Sequence, residues 1–167
     1  MRAEIYWVEG TWPGKIAVAP RPRGDDWTTD DVASWKRAGV NVVLSLLTAE
    51  ENRSLGLINE ASEVQKSGLE FLPFPIPDLQ VPASKAKLNE TIEKLGAELA
   101  KNKNVLIHCR QGIGRSGLIA ACLLISKGLS PGAAIDQVSA ARGLRVPETP
   151  EQREWVDRYA ALPASTR

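Results

Sequence analysis

One histidine, one methionine and two cysteines in 167 residues leave little material for several common kinds of site. The cysteines, Cys109 and Cys122, stand thirteen positions apart with no Cys-x-x-Cys pair. That spacing argues against a zinc site and against a disulfide framework, so no metal is expected. A reducing compartment, the cytoplasm, is the expected setting. No apolar run exceeds the eight residues from Leu118 to Ile125, far short of the roughly 20 that a membrane-spanning helix needs. Glu4 falls where a secretion signal would begin its apolar stretch, so export is not expected either. An excess of charge is missing too. The 21 Lys and Arg against 20 Asp and Glu give a net +1, without the electrostatic footprint of a nucleic-acid binder. What is there, 43% hydrophobic and 25% charged residues, is an ordinary globular composition, and residues 1–167 are expected to form one domain. A chain of this size can bury roughly 70% of its unfolded surface, so it needs no staple.

Strand patterns alternate with helical ones, which predicts an α/β fold with a parallel sheet. Strands are expected at 16–19, 41–47, 69–74 and 104–108. Helices are expected from Thr28 to the stop at Gly39, over 48–67 with a break at Gly56, from the Ser84 cap to about Lys101, over 115–127, over 130–142 and from Thr149 to about Leu162. The last two open with a capping residue followed by proline. Pro73, Pro75 and Pro77 forbid helix and central ladder pairing, which puts Asp78 on a stiff extended loop.

The chemistry concentrates after the most apolar strand, in His108-Cys109-Arg110-Gln111-Gly112-Ile113-Gly114-Arg115-Ser116. Glycines at 112 and 114 let the backbone turn tightly and aim N–H groups inward at the start of a helix, an arrangement that binds anions. The same field favours the thiolate of a cysteine placed in it. Arg115 adds a planar fork for two phosphate oxygens. A lone cysteine ending a buried strand is more often a small apolar filler, and this one is not alone. The Walker lysine of a nucleotide P-loop is absent, its place before Ser116 taken by Arg115. A rhodanese-like sulfur carrier is the remaining enzymatic rival. Neighbouring strand residues face opposite sides, so His108 is expected to point away from Cys109 and to brace backbone rather than act as a base.

The run His108-Cys109-x5-Arg115-Ser116 resembles the signature of the cysteine-dependent protein tyrosine phosphatases, and Gly112-Ile113-Gly114-Arg115-Ser116-Gly117 is similar to their small dual-specificity branch. The likeness extends from about Val40 to about Val156. It implies a mainly parallel sheet of four to five strands flanked by helices, with the phosphate loop of residues 110–115 between a central strand and a helix. It also implies a phosphomonoesterase that needs no metal or cofactor: Cys109 as nucleophile, Arg115 and the loop amides on the phosphate, and Asp78, thirty-one positions upstream, as general acid. The order aspartate before cysteine separates the chain from the low-molecular-weight phosphatases. Ser116 would donate to the thiolate or satisfy local backbone. Gln152 either completes a capping box with Thr149 or positions the hydrolytic water, as a comparable residue does in relatives. The implied substrate is a phosphorylated protein or peptide, phosphotyrosine first and phosphoserine or phosphothreonine next. A phosphoinositide or other small phosphate ester is the alternative, disfavoured because the loop carries only Arg110 as an extra cation, and a non-catalytic phosphate-binding module is a third reading. A monomer is the favoured state.

Other residues carry weaker expectations. Arg142 and Arg145 read as solvated charges, Arg110 as the cation on the pocket rim, and Arg21 and Arg23 as a turn near the site. Cys122 reads as core. Trp7, Trp12, Trp27, Trp35 and Trp155 read as core and lid packing, with Trp7 and Trp12 flanking a turn that could cover the pocket.

Overall fold

The structure, a computed structural model, describes residues 4–161. Five strands form one sheet in the order β1-β2-β5-β3-β4, with β1 at Tyr6–Val8, β2 at Ile16–Ala19, β3 at Val42–Ser45, β4 at Glu70–Pro73 and β5 at Val105–His108. The pairs β2–β5, β5–β3 and β3–β4 are parallel, and β1 alone runs antiparallel on β2. The helices are α1 (Thr28–Arg37), α2 (Ala49–Ser54), α3 (Glu60–Lys66), α4 (Lys85–Ala100), α5 (Arg115–Ser126), α6 (Pro131–Arg142) and α7 (Pro150–Ala161), with a 3-10 turn at Asp25–Trp27. None of the described helices is long and apolar enough to cross a membrane.

The expected α/β architecture is present, and the reason lies in the central strands. β2, β3 and β5 are buried at every position, as parallel strands covered on both faces must be. Alternate residues serve different cores. Ile16, Val18, Val42, Leu44, Val105 and Ile107 join the larger one with α4, α5, α6 and α7, whereas Ala17, Ala19, Val43 and Leu106 join the smaller one with Val32 and Trp35 of α1 and Val64 of α3. The helix that follows β2 therefore lies on one face and the helix that follows β5 on the other. That divergence opens a crevice at the carboxyl ends of these neighbouring strands, where ligands of open α/β sheets bind.

Local signals set the helix ends. Ser84 and Ser130 accept from Lys87 N and Ala133 N, and Gly143 closes α6 in the left-handed region. The expected helix over 48–67 is two helices, because Gly56 takes φ +71° between them. A capping box of Thr48 and Glu51 starts the first. The last expected residue of α7, Leu162, lies outside the described residues.

Three features depart from expectation. β1 was not foreseen, since three residues are too few to show a strand period. Trp7 and Trp12 do not cover the site: Val8 pairs with Ile16, the first residue of β2, so the connection carrying Trp12 leaves from the opposite end of the sheet to Cys109. Trp12, Trp35 and Trp155 are core, and Trp7 packs against the smaller core. Trp27 is neither core nor lid; it is 55% exposed beneath the Arg23 guanidinium, 4.5 Å from its ring centre.

The end of the sheet remote from Cys109 is tightly closed at Gly14. Its N–H donates to Leu99 O at 2.9 Å, and a Cβ there would stand 1.9 Å from Lys103 O. Gly14→Ala is expected to lower stability by about 1–3 kcal/mol, as overpacking does. Urea unfolding monitored by tryptophan fluorescence measures the loss, and activity per folded molecule should be unchanged because the clash is at the far end.

Candidate active site

Cys109 follows the last residue of β5 and is 3% exposed at the wall of a cleft of about 190 Å³, which it lines with Asp78, Leu79, Arg110, Gln111, Gly114, Arg115, Glu148 and Gln152. The loop over 109–115 is shaped by its glycines. Gly112 has φ +74°, and a Cβ there would meet the Ala19 carbonyl carbon at 2.6 Å. Gly114 sits at the N-cap of α5 with no side-chain cap, which leaves that helix start to a ligand. Ile113 turns away into the larger core.

Bonds on the outer side of the loop orient its peptides. Arg110 O accepts from Arg21 N at 3.2 Å. Arg142 donates Nη2 to Gln111 O at 3.3 Å and Nε to Gly112 O at 3.0 Å, while its guanidinium lies 4.2 Å over the Tyr6 ring. In a planar trans peptide the C=O and the following N–H point opposite ways, so the N–H groups of Gln111, Gly112 and Ile113 are turned inward. Arg142 is thus not the solvated charge expected from sequence: β1, absent from that reading, supplies the aromatic ring that holds it. Arg145 is exposed. Of the N-terminal arginines, Arg21 touches the loop through backbone only, and Arg23 is held by Asp31 in a paired contact.

Arg115 is 1% exposed. Its Nη1 donates to Glu51 Oε1 at 2.7 Å and Ile76 O at 2.8 Å, and its Nη2 donates to Glu51 Oε2 at 2.9 Å. The same Nη2 lies 3.0 Å from Asp78 Oδ1, whose side chain is 47% exposed. Burial pushes the Arg115 guanidinium toward losing its proton, but the Glu51 hydrogen bonds and the charges of Cys109, Glu51 and Asp78 outweigh it and hold the pKa above the ordinary value. Burial likewise pushes the Glu51 carboxyl up, yet the Arg115 and Thr48 hydrogen bonds leave it below the usual carboxylate range. Glu51 was not foreseen. The Thr48-x-x-Glu51 pattern marks a helix start and says nothing of a partner 64 positions away.

Ser116 Oγ lies 3.3 Å from Cys109 Sγ, in reach to donate to a thiolate. Gln152 is fully buried and forms the anticipated capping box: its Oε1 accepts from Glu148 N and Thr149 N, and its N–H donates to Thr149 Oγ1, each at 3.1 Å. Its Nε2 donates to Gln80 O at 3.1 Å, tying the start of α7 to the loop of Asp78. His108 points to the opposite face from Cys109, with Nε2 2.6 Å from Glu60 Oε2 and Nδ1 3.3 Å from Cys109 O. Cys122 is fully buried in α5, and burial pushes its thiol pKa up. Among the described residues, no cluster of three or more His, Cys, Asp or Glu could hold a metal ion. A thiol, inward amides, a guanidinium and a carboxyl around one small cleft are the groups that would suit a phosphate ester.

Comparison with known proteins agrees. Residues 17–129 match the family described as Tc-R-P, polymorphic toxin system, DSP-PTPase phosphatase. The chain is 34% identical over 141 residues to cyclin-dependent kinase inhibitor 3 of Rattus norvegicus, a match covering 81% of this chain and 66% of the rat protein, a little under two thirds of its length. Among solved structures, kinase associated phosphatase with its catalytic-site cysteine replaced by serine superposes with a TM-score of 0.85 at 25% identity, covering 98% of this chain and 99% of that one. The active form of Tk-PTP gives 0.77 at 29% identity, covering 94% and 96%. The chain belongs to the cysteine-dependent protein tyrosine phosphatase superfamily, in its small dual-specificity branch.

Glu51→Gln tests the buried pair. At neutral pH the variant is expected to lose about 3–5 kcal/mol, because it strips charge from a buried partner. Since the folded-state pKa of Glu51 is depressed, its stabilisation is complete above the unfolded value near ~4.3 and is lost as pH falls through the lower folded value. The gap between wild type and Glu51→Gln in urea unfolding should therefore narrow from pH 5 toward pH 3; a gap independent of pH would contradict the charge assignment.

Proposed function

We propose that the chain is a phosphomonoesterase that works through a cysteinyl-phosphate intermediate, with phosphotyrosine in a protein or peptide as its main substrate and phosphoserine or phosphothreonine as further ones. The observation that carries the reading is the convergence on one cleft of Cys109 Sγ, Ser116 Oγ 3.3 Å from it, Arg115 Nη2 and the Asp78 carboxyl 3.0 Å from that nitrogen.

In the first step Cys109 Sγ, as the thiolate, attacks phosphorus in line, the bond to the leaving oxygen breaks, and Asp78, entering the step as the protonated acid, gives that oxygen its proton and is left as the carboxylate. The equatorial oxygens take the inward amides of the loop, the start of α5 and the Arg115 guanidinium, whose Nη2 is otherwise ion-paired with Asp78 at 3.0 Å. Asp78, displaced from Arg115, turns to the leaving group. In the second step water attacks phosphorus, Asp78 takes its proton, the S–P bond breaks and Ser116 donates to the departing thiolate. Gln152 is assigned to hold the Asp78 loop against α7, and its place on the cleft wall leaves its second Nε2 proton for the attacking water. His108 takes no proton in either step.

Substrate class follows from charge around the cleft. Among the described residues Arg110 is its only cation besides Arg115, and the carboxylates of Asp78 and Glu148 line it as well. A ring bearing several phosphates would meet those carboxylates, whereas a single phosphate on an aromatic side chain presents only one dianion.

Phosphate release from a phosphotyrosine peptide, in chelator, tests the mechanism. Cys109→Ser is expected to be inactive, and undiminished turnover would overturn the nucleophile assignment. Asp78→Asn is expected to lose about 10²–10⁴-fold in kcat with the peptide and far less with an aryl ester whose leaving group needs no proton. Equal losses on both would remove Asp78 from the proton-transfer role. Faster turnover of phosphoinositide vesicles than of any phosphopeptide would reverse the substrate assignment.

A further inference from the structure

We infer that Glu60 is a positioning residue of this site, acting through His108 to orient the first peptide of the phosphate loop; the inference rests on the phosphatase reading above. Glu60 opens α3, on the face of the sheet away from the nucleophile, and is 1% exposed. Its Oε2 lies 2.6 Å from His108 Nε2, while its Oε1 is buried without a hydrogen-bond partner. A carboxyl held so deep for a single contact is costly to bury.

If Glu60 is ionised, Nε2 carries a proton toward it, and Nδ1 needs a second one to bond Cys109 O at 3.3 Å. If Glu60 is neutral, it donates to a bare Nε2 and the ring's own proton sits on Nδ1. In both states the pair is neutral overall and Nδ1–H faces the Cys109 carbonyl. Two states remain, both with a ring protonated only at Nε2 and the Nδ1 lone pair set against a carbonyl oxygen: beside an ionised Glu60 the pair buries a net charge, and beside a Glu60 protonated on Oε1 it leaves that O–H without an acceptor. Glu60 thereby selects the useful tautomer, as an orienting carboxylate does for other histidines. Trp35, with its ring centre 5.8 Å from that of His108, limits the ring's freedom to turn.

The consequence reaches the substrate pocket. Four successive carbonyls are bonded on the outside of the loop: Cys109 O by His108 Nδ1, Arg110 O by Arg21 N, and Gln111 O and Gly112 O by Arg142. Each turns the next N–H inward, and each polarises it toward donation. His108 sets the first of the four, the N–H of Arg110, which follows Cys109 in the chain.

Because His108 is the only histidine, imidazole ¹⁵N NMR of the full chain reads it without assignment. Wild type is expected to show a protonated Nδ1; a bare Nδ1 with Nε2–H overturns the inference outright. Glu60→Met should shift the ring to the Nε2–H form, weaken orthovanadate binding by about tenfold, the scale of losses when an orienting partner is removed, and lower kcat/KM through kcat as well as KM. Glu60→Gln, whose amide can still donate to Nε2, should stay within about threefold of wild type on both readouts, within the spread expected when an orienting hydrogen bond is kept. Equal losses in the Gln and Met variants, or a tautomer change with vanadate affinity unaltered, would overturn it. If Glu60→Met does not fold, the wild-type tautomer and the Gln variant decide. A wild type that binds vanadate in this Glu60-dependent way but releases no phosphate would support the brace and overturn only the assigned reaction.

Discussion

The pairing of Arg115 with Glu51 is the constraint from which the rest of the site follows. A guanidinium buried this completely needs its charge matched and its protons used, and the two oxygens of Glu51 together with Ile76 O meet that need. Those bonds join α5, the capped start of α2 and the proline-stiffened segment after β4. The Asp78 loop is therefore placed by the same side chain that lines the cleft. A buried ion pair is weak evidence of net stability against an apolar replacement. Here its effect is positional, since the contact to Ile76 O lies two residues from Asp78.

The sheet acts as a partition between two kinds of work. Residue alternation along β5 sends Ile107 to the larger core and Leu106 to the smaller one, and the same alternation separates Cys109 from His108. On one side lie the thiol, Ser116 and the cleft. On the other lie His108, Glu60 and Trp35, with no access to the reacting atoms. The two sides communicate through backbone carbonyls, which is the shortest path between groups that strand geometry forbids from touching. Arg142 and Arg21 complete the orientation of the loop from its rim, and Arg142 can do so because the edge strand β1 gives it the face of Tyr6.

What could be read in the sequence was local. The phosphate loop, the parallel α/β pattern, the proline-stiffened Asp78 segment, the caps of α4, α6 and α7 and the inward burial of Cys122 each depend on residues close together in the chain, where period and turn chemistry act. The orientation of His108 was legible for the same reason, from the two-residue period of a strand. Glu51 and Glu60 were not, because their partners stand 64 and 48 positions away and a glutamate at the start of a helix is ordinary without them. Arg142 looked like one more surface charge for want of β1, a strand of three residues that shows no pattern of its own. The split of the 48–67 helix was half legible: Gly56 marked the break, but only the left-handed backbone there makes it complete. Trp27 was misread because tryptophan is usually buried, and here Arg23 covers one face of it at the surface.

The geometry also explains why arginine rather than lysine suits position 115. The guanidinium divides its donors between two duties. Nη1 is committed to Glu51 Oε1 and Ile76 O, and one proton of Nη2 to Glu51 Oε2, all of them buried. Nη2 also forms an ion pair with Asp78 Oδ1 at 3.0 Å, and both residues line the cleft. A planar fork can hold both sets at once because its donors are fixed in direction. An ammonium has three donors on one atom and no plane, so it would have to give up either the bidentate Glu51 contact or the phosphate. Losing the first would release the Asp78 loop from its anchor, and losing the second would remove the cation from the proposed phosphate site. In the proposed reaction a phosphate dianion would compete with the Asp78 carboxylate for the same guanidinium, so that its arrival would free Asp78 for the leaving oxygen.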